Sequence, residues 1–274
     1  MSPVRNQISN GVIIDGRIMA KEILAHAKAR AETLARRPSV VAYVASNETP
    51  ATRSYLKIKE RSAAEAGCDF EVARSLEFPP DASAVIVQLP LPNGVDTKEI
   101  CNSILIEKDA DVLSTAAREK FERGDTDALL PPVVGAVKEI LKFGNVEVKG
   151  KQAVVIGAGF LVGAPMATWL RQQGAEVKVL TIESSQEDLV AALAKADIIV
   201  SGAGSPHLIK PEMIQQGLAL IDAGTSESSG KIVGDADPSC AAKCSLFTPV
   251  PGGVGPIAVA MLFENAVILA ERKN

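Results

Sequence analysis

Ala153-Val-Val-Ile-Gly-Ala-Gly-Phe-Leu-Val-Gly163 is the stretch that decides the fold. Ala153–Ile156 reads as a short buried strand, and it runs straight into glycines spaced Gly157-x-Gly159-x-x-x-Gly163. A glycine at the strand end permits a tight turn. A second lets backbone approach a pyrophosphate, and a third lets the next helix pack closely on the strand. That helix presents unpaired N–H groups and the positive end of its dipole to an anion. The spacing is one residue longer than the commonest form, and a glycine-rich turn without a ligand is the alternative. The strand before it and the helix after it point to a dinucleotide site. Gly157, Ala158, Gly159 and Gly163 are the candidate cofactor-binding residues.

Downstream, Val177–Leu180, Ile198–Val200 and Leu218–Ile221 read as further strands, with a helix over Gln186–Lys195. Glu183 lies 20 residues past Gly163, just beyond the second strand of the series. An acidic side chain there bonds ribose hydroxyls and repels a 2′-phosphate, which favours NAD over NADP. A carboxylate at a helix start, before Ser184-Ser185, is the competing reading.

Upstream, Met19, Ile23, Ala27 and Leu34 recur near helical spacing, and Pro38 ends that helix. Val40–Val44 reads as a strand. Thr49-Pro50 reads as an N-cap with proline at the first helical position, opening a helix to Gly67. Asp69–Ala73 and Ala84–Leu89 are two more strands, giving βαβ order and a parallel sheet. A short helix follows around Lys98–Leu105. Gly124–Pro132 reads as a linker and Val137–Phe143 as a linking helix. The Pro/Gly-rich Thr248–Pro256 precedes an apolar last helix, Ile257–Glu271. The fold class is α/β: two α/β domains flanking a cleft, the second a Rossmann-type doubly wound parallel sheet. The expected domains are 1–123 with 252–274, and 124–251.

With 47% hydrophobic and only 4% aromatic residues, the cores must be aliphatic. A net charge of -4 argues against general nucleic-acid binding, although Arg53, Lys57, Lys59 and Arg61 form a local basic cluster suited to a small anion. The start lacks the apolar run of a secretory leader, and no apolar run is long enough to span a bilayer, so a cytoplasmic location is expected. Cys68, Cys101, Cys240 and Cys244 show no CxxC spacing; Cys240 and Cys244 read as small residues on one helix face. With only His26 and His207, metal sites and histidine triads find no support, and no metal is expected.

Several residues are placed for chemistry. Tyr55 and Lys59, four apart, share a helix face, whereas Lys57 does not; a solvated basic helix is the bland alternative. Gln88 ends the otherwise apolar run Val85–Leu89, at the carboxyl end of a strand where open α/β sheets bind ligands. Asp109 and Asp111 follow Lys108 in a polar segment that also suits a helix cap. Pro251, Gly252 and Gly253 lie in a loop that would let a flat ligand approach backbone, or would serve as an interdomain hinge.

Taken together, Ile14-Asp15-Gly16, Tyr55-x-x-x-Lys59, Val87-Gln-Leu-Pro-Leu-Pro92, Lys108-Asp-x-Asp111, Gly157–Pro165, Gly234-Asp235 and Thr248–Pro256 span nearly the whole chain. In this order the chain resembles the bifunctional methylenetetrahydrofolate dehydrogenase/methenyltetrahydrofolate cyclohydrolase family. The resemblance implies a homodimer acting on a tetrahydrofolate derivative. It implies oxidation of 5,10-methylenetetrahydrofolate with NAD or NADP, then hydrolysis to 10-formyltetrahydrofolate. It assigns catalysis of the hydrolysis to Lys59, helped by Gln88. Tyr55 would stack on the aminobenzoyl ring, Asp111 would hold the pterin, and Pro251, Gly252 and Gly253 would line the substrate. Four departures stand out: Val112 replaces a usual glycine, Pro131-Pro-Val-Val134 replaces a Thr-Pro segment, Ile182-Glu183 replaces a His-Arg pair of some NADP-using members, and the stretch from Gly67 to Gln88 is short by about one helix. A dehydrogenase with weak or no cyclohydrolase, and a non-catalytic folate- or dinucleotide-binding protein, are the alternatives.

Overall fold

Short aliphatic runs form the strands of the computed structural model, which describes residues 6–8, 11–45, 50–228 and 230–273. In chain order these are β1 (Asn6–Ile8), β2 (Gly11–Ile13), α1 (Gly16–Ala31), β3 (Ser39–Tyr43), α2 (Pro50–Glu65), β4 (Asp69–Ala73), β5 (Ala84–Val87), α3 (Thr97–Asn102), α4 (Thr115–Glu122) and α5 (Pro132–Phe143). Then come β6 (Gln152–Ile156), α6 (Gly163–Gln172), β7 (Glu176–Leu180), α7 (Gln186–Leu193), β8 (Ile198–Ser201), β9 (Ala219–Asp222), β10 (Ser226–Ser228), β11 (Lys231–Val233), β12 (Leu246–Phe247) and α8 (Val254–Glu271). The N-cap expected at Thr49 lies outside the described residues. The chain divides into two units: one takes the chain up to Met19 and Val133–Ala258, the other Ala20–Pro132 and Val259–Asn274.

The first unit holds a seven-stranded sheet in the order β1-β2-β12-β9-β8-β6-β7. All its pairings are parallel except the β1–β2 hairpin. The strands β8 and β9 are buried at every position, as expected of a parallel sheet covered on both faces. From β6 the chain passes to β7 on one side and then to β8 on the other. Winding therefore reverses at β6, the kind of point where open α/β sheets bind ligands. The glycine-rich turn leaves the carboxyl end of this strand.

The bounds of this unit differ from the expected 124–251. The strand β2 pairs in parallel with β12, with Val12 opposite Leu246 and Ile13 opposite Phe247, so the start of the chain belongs to the larger sheet. Two glycines make that docking possible. A Cβ on Gly11 would lie 2.1 Å from the Cys244 carbonyl oxygen, and one on Gly16 would lie 1.8 Å from that of Gly253. Strands of two or three residues carry no readable period, which is why the sequence alone left them unassigned.

The second unit is built on a three-stranded parallel sheet, β4-β3-β5. One core joins Leu24 of α1, Val40 of β3, Ile86 of β5 and Phe263 of α8. Arg30 on α1 pairs with Glu264 and Glu271 on α8. A second cluster packs Val85 and Val87 of β5 against Cys101, Ile104 and Leu113. Residues 74–83 cross from β4 to β5 without a helix. Phe78 from this crossover packs on the second cluster. Lys108 donates to the carbonyls of Pro79 (3.2 Å) and Pro80 (2.9 Å), and Lys273 to that of Ala82 (2.8 Å), so the shortened connection is tied down.

The expectation from the sequence is that no apolar run is long enough to span a bilayer. α8 corrects this: with 18 residues and a mean hydropathy of 1.6, it meets the length and apolarity of a membrane span. Its apolarity has another cause. More than half of the helix is buried, with Ala260, Phe263, Ala266 and Val267 fully buried in the core of the second unit. Its single buried amide, on Asn265, donates to the carbonyls of Ala110 (2.8 Å) and Leu130 (2.9 Å). Asn265→Ala leaves two carbonyls without these partners and is expected to cost on the order of 1–3 kcal/mol for each that stays dry. Urea unfolding checks this, and unchanged stability would contradict it.

Candidate functional site

Within the second unit, α2 carries Tyr55 and Lys59 one turn apart. Lys59 Nζ donates to Gln88 Oε1 at 2.9 Å. Gln88 follows β5, and its backbone N–H extends the ladder by donating to the Tyr43 carbonyl at 2.9 Å. Its Nε2 donates to the Leu89 carbonyl at 2.8 Å, so the amide presents its oxygen to the ammonium. Gln88 is 9% exposed, and Tyr55 is 47% exposed. Of the basic cluster on this helix, Arg53, Lys57 and Arg61 are exposed, and Lys59 alone is half-buried.

Burial lowers the Lys59 pKa from its ordinary 10.5, and the charge of Asp111 opposes that shift without reversing it. Burial likewise pushes Asp111 up to about 6. The charges of Lys59 and Arg118 pull Asp111 down, and that of Asp109 pushes it further up. The structure thus brings Lys59, Gln88 and Asp111 into one neighbourhood.

Asp109 is fully buried and organises the turn that carries Asp111. It accepts from the N–H groups of Leu113 (3.1 Å) and Ser114 (2.7 Å), and it bridges to Val85 beside β5. A cap or turn residue is one of the parts the sequence allows Asp109, and the turn is its part here. The sequence does not single out Arg118, because a lone arginine on an amphipathic helix such as α4 looks like a solvated one.

In the first unit, the three glycines of the turn meet three different demands. Gly157 has φ +93°, and a Cβ there would sit 2.8 Å from the Gly202 carbonyl oxygen. A Cβ on Gly163 would lie 1.9 Å from the Gly157 carbonyl oxygen, so only glycine lets α6 start this close to the turn. Gly159 has nothing within 4 Å of its Cβ direction, and Ala158 is exposed beside it. The N-cap of α6, Val162, supplies no side-chain hydrogen bond, and the Ala164 N–H donates to the Gly159 carbonyl at 3.1 Å. This open face at Gly159, on a glycine turn at the start of a helix, fits a pyrophosphate.

Glu183 is exposed past the end of β7, next to Ile182, which is fully exposed. The cap of α7 is Ser185, which accepts from Asp188 N, with Glu187 and Asp188 in the first turn. Glu183 stands outside that turn, so helix capping does not account for it.

Two buried carboxylates fix the loops after β8 and β9. Asp235 accepts from Ser201 Oγ (2.7 Å), Ala203 N (2.8 Å) and Ser205 N (2.7 Å). Asp222 accepts from Gly224 N (3.0 Å) and Ala236 N (2.8 Å), and burial pushes it up to about 6. Pro251 and Gly252 line a cavity of about 240 Å³ together with Asp15, Arg17 and Pro249. Gly252 has φ +103° and open space at its Cβ direction. Gly253 instead packs internally, 2.6 Å from the Pro249 carbonyl oxygen at its Cβ direction. Cys240 and Cys244 are buried, and burial raises their thiols to about 11 and about 12, so they serve as core residues.

The tetrahydrofolate dehydrogenase/cyclohydrolase NAD(P)-binding domain model matches residues 131–274. The bifunctional protein FolD of Nitrosospira multiformis is 34% identical over 286 residues, covering 96% of this chain and 96% of its own length. This chain belongs to the tetrahydrofolate dehydrogenase/cyclohydrolase family. Among solved structures of the family, the bifunctional FolD methylenetetrahydrofolate dehydrogenase/cyclohydrolase of Campylobacter jejuni matches with a TM-score of 0.91 at 31% identity, covering 96% of this chain and 99% of that one. The Trypanosoma brucei FolD, complexed with NADP cofactor and inhibitor, matches with a TM-score of 0.89 at 30% identity, covering 97% and 99%.

Asp111 and Asp222 are both harder to ionise folded than unfolded. Their contribution to stability is complete below their ordinary value of 3.8 and is lost as pH rises through about 6. The stability advantage of the wild type over Asp222→Asn is therefore expected to narrow from pH 4 to pH 7 in urea unfolding. A constant difference would contradict the buried-carboxylate assignment.

Proposed function

We propose that the second unit binds a reduced folate and the first a nicotinamide dinucleotide. The chain oxidises 5,10-methylenetetrahydrofolate to the methenyl cation and hydrolyses that to 10-formyltetrahydrofolate. The observation that carries this reading is the half-buried Lys59 ammonium held by Gln88 beside Asp111, in a chain of this family.

The glycine turn and the α6 N-terminus would hold the dinucleotide pyrophosphate. When bound, the nicotinamide supplies the acceptor for the hydride that leaves the bridging carbon. Glu183, exposed and outside the α7 cap, would bond the ribose hydroxyls and repel a 2′-phosphate, which supports NAD as the cofactor.

The exposed ring of Tyr55 offers a stacking face for the aminobenzoyl group. Asp111 would accept hydrogen bonds from the pterin. In the hydrolytic step, water adds to the methenyl carbon, and a neutral Lys59 takes the proton that this water sheds. The bond from that carbon to N5 then breaks, the formyl group stays on N10, and N5 takes up a proton. An amine whose pKa is lowered by burial, next to a cationic substrate, gives up its proton more readily than a solvated lysine does. Gln88 aims the Lys59 nitrogen throughout.

Lys59→Met is expected to slow hydrolysis roughly 10²–10⁴-fold while dinucleotide binding is kept. The methenyl product, which absorbs in the near ultraviolet, then accumulates. Normal hydrolysis by this variant would refute the role of Lys59. For the cofactor, Glu183→Gln is expected to improve NADP binding relative to NAD in a fluorescence titration of both. An unchanged ratio would remove Glu183 from cofactor selection.

A further inference from the structure

The loop that follows β8, from Ser201 to Ser205, touches both ends of the glycine turn. The Gly202 N–H donates to the Ile156 carbonyl at 2.9 Å. A Cβ on Gly157 would lie 2.8 Å from the Gly202 carbonyl oxygen, and one on Gly202 would lie 2.6 Å from Cγ1 of Val162. Past this contact Ala203 and Gly204 are exposed, and Gly204 has φ +64°. Backbone therefore lies open beside the turn.

One carboxyl group shapes this loop. Asp235 is fully buried and accepts from Ser201 Oγ, Ala203 N and Ser205 N, three donors on alternate residues. Asp235 is itself anchored. The Gly234 carbonyl accepts from His207 N at 3.2 Å, the Asp235 carbonyl accepts from Ile209 N at 2.9 Å, and Ala236 N donates to Asp222. Gly224 packs against the carboxyl group, where a Cβ would meet it at 2.2 Å.

We propose that Asp235 is a positioning residue for the dinucleotide: it wraps the Ser201–Ser205 loop against the glycine turn, as the wall that meets the nicotinamide nucleoside half. The inference rests on the dinucleotide reading of that turn.

Topology selects the half. A dinucleotide crosses an open α/β sheet where the winding reverses, with its pyrophosphate at the turn. β7 and β8 flank β6 on opposite sides. With the adenosine ribose at Glu183, past the end of β7, the other nucleoside extends over the end of β8, where this loop stands. The small residues Gly202, Ala203 and Gly204 let a flat ring approach backbone there. An asparagine at 235 could not hold the same loop. Its amide offers one oxygen and one NH2 group, so either Ala203 N or Ser205 N loses its acceptor and faces a donor.

The test compares NAD with ADP, which keeps the adenosine and both phosphates but lacks the nicotinamide nucleoside. Should the wild type prefer NADP, NADP and 2′-phospho-ADP are the pair. By calorimetry, Asp235→Asn is expected to raise the Kd for NAD roughly ten- to a hundredfold and to leave that for ADP unchanged. A general loosening of the unit would weaken both ligands alike, and that result, or no change for either, would overturn the proposal. Amide NMR of the wild type covers the case in which the variant fails to fold. The Ala203 and Ser205 amides are expected to be protected from hydrogen exchange before ligand is added, and the Ala203 and Gly204 signals to shift with NAD but not with ADP. Unprotected amides, or signals that answer both ligands alike or neither, would overturn it too. Failure of the dinucleotide reading looks different: the wild type would bind none of NAD, NADP and ADP.

Discussion

An ammonium group drawn partly out of water and held by a neutral amide is the interaction on which the rest depends. Taking a charge out of water is costly unless a partner compensates. Gln88 compensates Lys59 with a hydrogen bond but brings no opposite charge. Asp111 brings charge without closing an ion pair, and burial outweighs it, so the amine is lowered rather than raised. A fully paired lysine would be a structural cation, locked in its protonated form. This one is left able to give up its proton. That state needs stiff surroundings, because a small movement would let water reach the ammonium or let the carboxylate close on it. The three-stranded sheet, the buried α8 and the Asp109 turn supply that stiffness.

The first unit solves a different problem with the same economy of side chains. Its polar residues are spent on shaping backbone. Asp235 gathers a hydroxyl and two N–H groups at the carboxyl ends of the central strands, and Asp222 gathers two N–H groups of the next loops. Glycines stand where these carboxylates come close: a Cβ on Gly224 would meet Asp235 at 2.2 Å, and one on Gly234 would meet Asp222 at 2.1 Å. The loops around the glycine turn are thereby fixed.

What could be read in the sequence was what is encoded locally. The turn at 157–163 combines an apolar strand, spaced glycines and a helix, three constraints within a dozen residues, and its geometry follows. Lys59 and Gln88 were legible for a similar reason: helical spacing places one, and a polar residue ending an apolar run marks the other. The gap between Gly67 and Gln88 was legible by length, but not its remedy, since the lysines that tie residues 74–83 come from positions 108 and 273. The pairing of β2 with β12 joins residues over two hundred positions apart through strands too short to show a period. The membrane-like composition of α8 was likewise ambiguous until its neighbours were known. Nor does a valine announce that its φ is positive, as it is at Val112.

The central claim is that Lys59 is held in an environment that weakens its hold on its proton. NMR titration of labelled lysine side chains in the free protein, with the Lys59 signal identified by its loss in the methionine variant, measures this directly. A midpoint clearly below the ordinary 10.5 is expected for Lys59. A midpoint at or above 10.5 would contradict it.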